Sequence, residues 1–186
     1  MSTLSVNNLT TITGSTITIP TGKKLIVTDA GGVQVPHSVV QRVQCGTIAD
    51  VNNNSPGTWA NTGYTLTITP TSNTSTVQIT ATCPYRLNGA STYLRGGYRM
   101  YRNIGGTDTL IMNTSSDIEM FQVRNAANEH DAVPTYDVMD TPNTTSAVTY
   151  RIQSYVHNDT SGGNALYILS WGTAKGGNMQ LREVRT

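Results

Sequence analysis

Charge is scarce in this chain. Only 12 % of its 186 residues are charged, and Lys+Arg 12 against Asp+Glu 11 leaves a formal net charge of +1, where a soluble domain carries about 25 % charged residues. A whole-surface basic footprint for nucleic acid or acidic membrane is excluded. Large apolar side chains are few as well, with one Phe, two Trp and a hydrophobic share of 37 %, so the core must be thin. No apolar run approaches the roughly 18–20 residues of a membrane span. The opening Met1-Ser2-Thr3-Leu4-Ser5 lacks the basic region and apolar stretch of a secretory signal, so the expectation is synthesis in a cytoplasm without membrane insertion. Low apolar content predicts disorder only when net charge is high, which it is not.

Motifs of chemistry are also missing. No G-x-S-x-G nucleophile turn and no phosphate-binding glycine loop occurs. His37, His130, His157, Cys45 and Cys83 have no ligand-motif spacing. The reading is therefore no enzyme, no metal and no cofactor. Asp117, Glu119, Glu129, Asp131, Asp137 and Asp140 leave a carboxylate pair for glycoside hydrolysis open, a third and weakest alternative. The six N-x-[ST] sequons, at Asn8, Asn53, Asn73, Asn113, Asn143 and Asn158, stand close to what 16 Asn among 45 Ser and Thr generate by chance and carry little information without a secretory signal.

Present instead are 31 Thr, 17 Gly, 16 Asn and 14 Ser, types that favour strands and turns over helix. Apolar and Thr positions alternate: Tyr64, Leu66 and Ile68 oppose Thr65, Thr67 and Thr69, while Val148, Tyr150 and Ile152 oppose Thr149, Arg151 and Gln153. One face is buried and one is polar. Strands are expected over 39–51, 64–69, 77–83, 94–102, 110–112, 119–124, 148–156, 165–171 and 179–184, separated by Asn-, Pro- and Gly-rich turns. That spacing predicts an all-β antiparallel sandwich.

Residues 1–36 read as a separate short β segment, with strands around Ile17-Thr18-Ile19 and Leu25-Ile26-Val27 and a turn at Pro20-Thr21-Gly22. So few large side chains cannot bury a core alone. Ile17, Ile19, Leu25 and Val27 are the expected oligomer contacts, and residues 37–186 form the sandwich domain. An addition of these strands to the sandwich itself is the alternative.

Thr62-Gly63-Tyr64-Thr65-Leu66-Thr67-Ile68-Thr69-Pro70-Thr71-Ser72-Asn73-Thr74-Ser75 with Val77-Gln78-Ile79 resembles a segment of virion structural proteins of tailed phages. Arg99-Met100-Tyr101-Arg102-Asn103, Asp140-Thr141-Pro142-Asn143-Thr144-Thr145-Ser146-Ala147-Val148-Thr149-Tyr150 and Leu181-Arg182-Glu183-Val184 are similar to later strands of the same domain. The opening, from Thr13-Gly14-Ser15 to Thr28-Asp29, resembles fibre-like proteins of phages of marine bacteria. The resemblance implies a jelly-roll-like domain on a short N-terminal segment, a homotrimer, other virion proteins of tail or capsid as partners, and a place in the virion. Fibre or adaptor module and capsid decoration protein remain alternatives at this point.

Two stretches invite a binding reading. The connections 52–61 and 125–141 hold Trp59, Tyr136, Glu129, His130 and Asp131, an aromatic platform with hydrogen-bonding groups that suits a host surface glycan. A core role for Trp59 is the alternative. The stretch 93–102 places Leu94, Tyr98, Met100 and Arg102 on one face and Arg95, Arg99 and Tyr101 on the other. It reads first as one packed and one salt-bridged face, and second as an interface. Cys45 and Cys83 fall on apolar strand faces and are expected as reduced small hydrophobes, a disulfide being the alternative.

Overall fold

The computed structural model describes residues 21–22, 37–46, 48, 51–89, 93–112, 121–124, 128–157, 165–168 and 177–185. The chain divides into two compact units, Met1–Gln34 and Val35–Thr186. Of the first, only the Thr21-Gly22 turn is described, Gly22 supplying a φ of 80°. Ile17, Ile19, Leu25 and Val27 lie outside the described residues.

The second unit is built from β1 (Val39–Gln44), β2 (Val51–Asn53), β3 (Trp59–Ile68), β4 (Thr76–Thr82), β5 (Tyr85–Gly89), β6 (Tyr93–Ile104), β7 (Thr107–Met112), β8 (Phe121–Arg124), β9 (Asn128–Ala132), β10 (Thr135–Asp140), β11 (Val148–Val156), β12 (Ala165–Ile168) and β13 (Asn178–Val184). No helix occurs among the described residues, so none is long and apolar enough to cross a membrane.

Two of the sheets have the same order, β1-β13-β4-β10 and β2-β12-β5-β9, each strand of one being next in chain order to its counterpart in the other. Pairing of β4 with β10 and of β5 with β9 keeps one register, from Thr82↔Thr135 to Tyr85↔Ala132. Between them stand Pro84 and Pro134, which cannot donate to the ladder. Cys83 N–H still reaches the Pro134 carbonyl at 2.9 Å. Along these two pairings the sheets run on as one kinked sheet, and each pair of counterparts counts as one strand. Opposite it lies the sheet β3-β11-β6, with β7 and β8 pairing successive parts of β6.

Counted this way the described strands number eight. The order is first, eighth, third, sixth in the kinked sheet and second, seventh, fourth, fifth in the facing sheet, which is the double Greek key of a jelly roll. The expected antiparallel sandwich is what forms. β11 has the boundaries its alternation predicts. β5, β9 and β10 correct the expectation, which has no strand over 85–89 and a long connection over 125–141.

Between the sheets, Val77, Ile79, Ala81, Met179 and Leu181 face Tyr64, Ile68, Tyr98, Met100, Val148, Tyr150 and Ile152, all buried. Fully burying one such aliphatic side chain stabilises by about 1.5–3 kcal/mol. At one end Asp140 of β10 accepts Arg102 Nη1 at 2.8 Å and the Tyr150 hydroxyl at 2.7 Å, tying the two sheets together. Burial, and then the Asp140 carboxylate that accepts its proton, raise the Tyr150 pKa, against a smaller opposing pull from Arg102. At β6–β7 the sheet turns through Gly105 and Gly106, with φ of 57° and 89°. These are the two positive-φ positions of a tight primed hairpin.

Cys45 and Cys83 are both free. β13 runs between their strands, with Met179 N–H donating to Cys45 Sγ at 3.0 Å and Met179 paired to Ala81 on its other side. Two strand spacings amount to about 9–10 Å, beyond the roughly 7 Å over which a disulfide closes. Burial, and then Cys45 nearby, push the Cys83 thiol pKa well up. The reduced-hydrophobe expectation describes Cys83, at 0 % exposure, better than the half-buried Cys45.

Candidate functional site

The outward face of the β3-β11-β6 sheet gathers most of the unusual surface chemistry. Cross-strand register builds it in rows: Trp59, Tyr155 and Gly97; then Asn61, Gln153 and Arg99; then Thr65, Arg151 and Tyr101; then Thr149 and Asn103 beside Thr67. A bulge in β3 sets the first two rows. Thr62, Gly63 and Tyr64 stand opposite Ile152 alone, Gly63 takes a φ of 80°, and the Thr62 hydroxyl donates to the Ile152 carbonyl at 2.7 Å. Such a bulge re-aims a strand and its side chains. Here it brings Asn61 opposite Gln153 and Trp59 opposite Tyr155.

Arg99 is the centre of these rows. Its Cζ lies 4.1 Å from the Trp59 ring centroid and 4.8 Å from that of Tyr101. Its Nε donates to Gln153 Oε1 at 2.8 Å, and Gln153 Nε2 donates to Asn61 Oδ1 at 2.9 Å. Cation–π contacts of this kind contribute about 0.5–2 kcal/mol each. Desolvation lowers the Arg99 pKa, the Tyr101 phenol opposes this, and the Arg151 cation adds to it. An arginine so shifted stays charged at any ordinary pH. Arg151 also approaches the Tyr101 ring, at 5.5 Å, and pairs with Asp108 of β7. At the other end His157 N–H donates to the Arg95 carbonyl at 3.0 Å, and their side chains meet at 3.2 Å. The Trp59 ring tilts against Tyr155 with centroids 5.1 Å apart.

The residues expected to share one glycan surface do not meet. Trp59 is on β3, not in a loop, and faces outward from the sandwich. Tyr136 points inward from β10, edge-on to the buried Tyr98 at 5.9 Å, and burial raises its pKa, with Cys83 and Tyr85 adding to the shift. His130 pairs with Leu87 across β9 and β5 and stacks on Tyr85 at 6.0 Å. Asp131 receives Arg86 at 2.8 and 2.9 Å on the opposite face of the same strand. Glu129 pairs through its backbone with Asn88. The cluster that reads as a polar loop is a strand, and strand alternation sends its neighbours to opposite faces. Tyr98 and Met100 are fully buried, whereas Arg95, Arg99 and Tyr101 face outward, as the period of 93–102 predicts. Arg99 has no carboxylate partner among the described residues, and Arg151 with Asp108 supplies an ion pair on the expected salt-bridged face.

No group of three or more His, Cys, Asp or Glu side chains converges among the described residues. No protein-family model and no curated protein sequence matches the chain. Two solved structures of infectious bursal disease virus, of the Gx and the Gt strain, are similar to it. Their TM-scores are 0.42 and 0.41 at 12 % identity, over 87 % and 88 % of this chain. The chain spans 42 % of the length of each of those chains. The jelly-roll assignment follows from strand order and register, independently of that likeness.

Proposed function

We propose that the protein is a structural virion component of a tailed phage, a fibre or adaptor module that displays its jelly roll for attachment or host contact without catalysis. The observation that carries the reading is the arrangement of its outward sheet face. A guanidinium is held between two aromatic rings in the middle of a row of amides and hydroxyls, on a fold used by capsid and lectin domains. The phage-like segments support it too, since they coincide with strands of both sheets of the sandwich: β3 into β4, β6, β11 and β13. In this reading residues 1–36 join three copies through Ile17, Ile19, Leu25 and Val27 and fix them to other virion proteins.

Antibody labelling of purified particles tests the assignment. Gold at the tail is the expected result. Labelling repeated over the shell assigns the chain to capsid decoration, and absence from particles overturns the virion role.

A further inference from the structure

We propose that the outward face around Arg99 takes an acidic glycan, the guanidinium receiving the carboxylate of a uronic- or sialic-type sugar. The inference rests on the host-contact reading above and adds the chemical class of what is contacted. Its first support is charge. Among the described residues this face carries Arg99 and Arg151 against Asp108, and Asp108 is already paired with Arg151.

The second support is preorganisation. Arg99 is gripped on its Nε by Gln153, which Asn61 holds in turn, and flanked by the Trp59 and Tyr101 rings. Its two terminal nitrogens make no hydrogen bond within the described residues. A planar guanidinium with both ends open matches a carboxylate through two parallel bonds. Because the fork is already fixed, little side-chain freedom is lost when it binds.

The third support separates a glycan from an acidic protein partner. Exposed Asn61, Thr65 and Thr67 of β3 put amide and hydroxyl groups suited to sugar hydroxyls on the same outward face. A protein interface wants an apolar centre. The large hydrophobic side chains exposed among the described residues, Val39, Val133 and Met139, lie on β1, beside Pro134 and on β10, none of them on this face.

The test is titration of the full chain with oligogalacturonate, oligomannuronate and sialyllactose, each against a neutral oligosaccharide of equal length, and with polyglutamate. At least one acidic sugar should bind ten-fold or more tightly than its neutral counterpart and than polyglutamate, and should weaken on raising salt. In the wild-type chain the Trp59 indole and Arg99 Nε–H resonances should shift. Arg99→Lys keeps the charge and loses the fork, so it should weaken binding at least ten-fold while the unfolding midpoint stays within that of Asp137→Asn, a control on exposed β10. Binding of none of the acidic sugars, equal binding of polyglutamate, or shifts confined elsewhere would overturn the proposal. Particle labelling is unaffected by any of these results, so the virion reading fails or stands separately.

Discussion

Glu183 accepts both the backbone N–H and the hydroxyl of Thr71, each at 2.8 Å on Oε1. Gln41 Nε2 donates to its Oε2 at 2.7 Å and also to the Thr69 carbonyl at 2.6 Å. A fully buried carboxylate on the last strand thus fixes the loop between β3 and β4. Desolvation alone would raise its pKa, but hydrogen bonds from Gln41 and Thr71, with the polar Ser75 hydroxyl nearby, outweigh it and hold the carboxyl below the ordinary glutamate range.

From that balance comes a pH dependence. The unfolded chain binds a proton at Glu183 more readily than the folded one, so its contribution is complete above the usual value of about 4.3. It fades as pH falls through the lower folded value. Glu183→Gln should cost about 1–3 kcal/mol at neutral pH. The gap to the parent in urea midpoints should narrow below about pH 4. A gap independent of pH would show that the charge is not what Thr71 and Gln41 hold.

Gly177 is a second point of close fit. An added Cβ there would overlap the Tyr64 hydroxyl and stand 2.9 Å from the Thr82 carbonyl oxygen. Tyr64 is buried and its hydroxyl has no hydrogen-bond partner among the described residues. Gly177→Ala should therefore destabilise by roughly 1–3 kcal/mol through overpacking. Tyr64→Phe alone should be nearly neutral, and the double variant should recover part of the loss. The coupling energy from the four denaturation curves checks this.

The Asp140 tie between the sheets predicts unequal losses. Tyr150→Phe removes one neutral donor and should cost about 1 kcal/mol. Arg102→Met leaves a largely buried carboxylate without its cation and should cost roughly 3 kcal/mol. Equal losses in chemical denaturation would contradict the assignment of Arg102 as the principal partner.

For the cysteines, thiol titration of the unreduced, denatured chain should find both free. In the folded chain Cys45 should alkylate before Cys83, whose thiol is fully buried and resists ionisation. Replacing both with Ala should cost about 1–3 kcal/mol, a packing loss only. Absence of free thiol would contradict the placement of β13 between them.

The parts of this fold legible in the sequence are those where one strand face is apolar throughout. In β11, Val148, Tyr150, Ile152 and Val156 mark both the element and its inner face. β5, β9 and β10 escape because Pro84 and Pro134 look like ends of strands. Pairing across them is set by partners some 50 residues away, as Tyr85↔Ala132 is. Asn128-Glu129-His130-Asp131 has turn composition and becomes a strand only because β5 offers it a ladder. The Arg99 rows are half legible. The alternation in 93–102 gives the outward set, but Trp59 joins it only through the bulge at Thr62-Gly63-Tyr64, flanked by residues that look like a loop.

The most direct measurement of the central claim is a reconstruction of the intact particle at a resolution that orients this domain. The expected result is three-fold density at the tail with the Arg99 and Trp59 face turned to solvent. Density repeated over the capsid lattice with that face buried against shell subunits would contradict it.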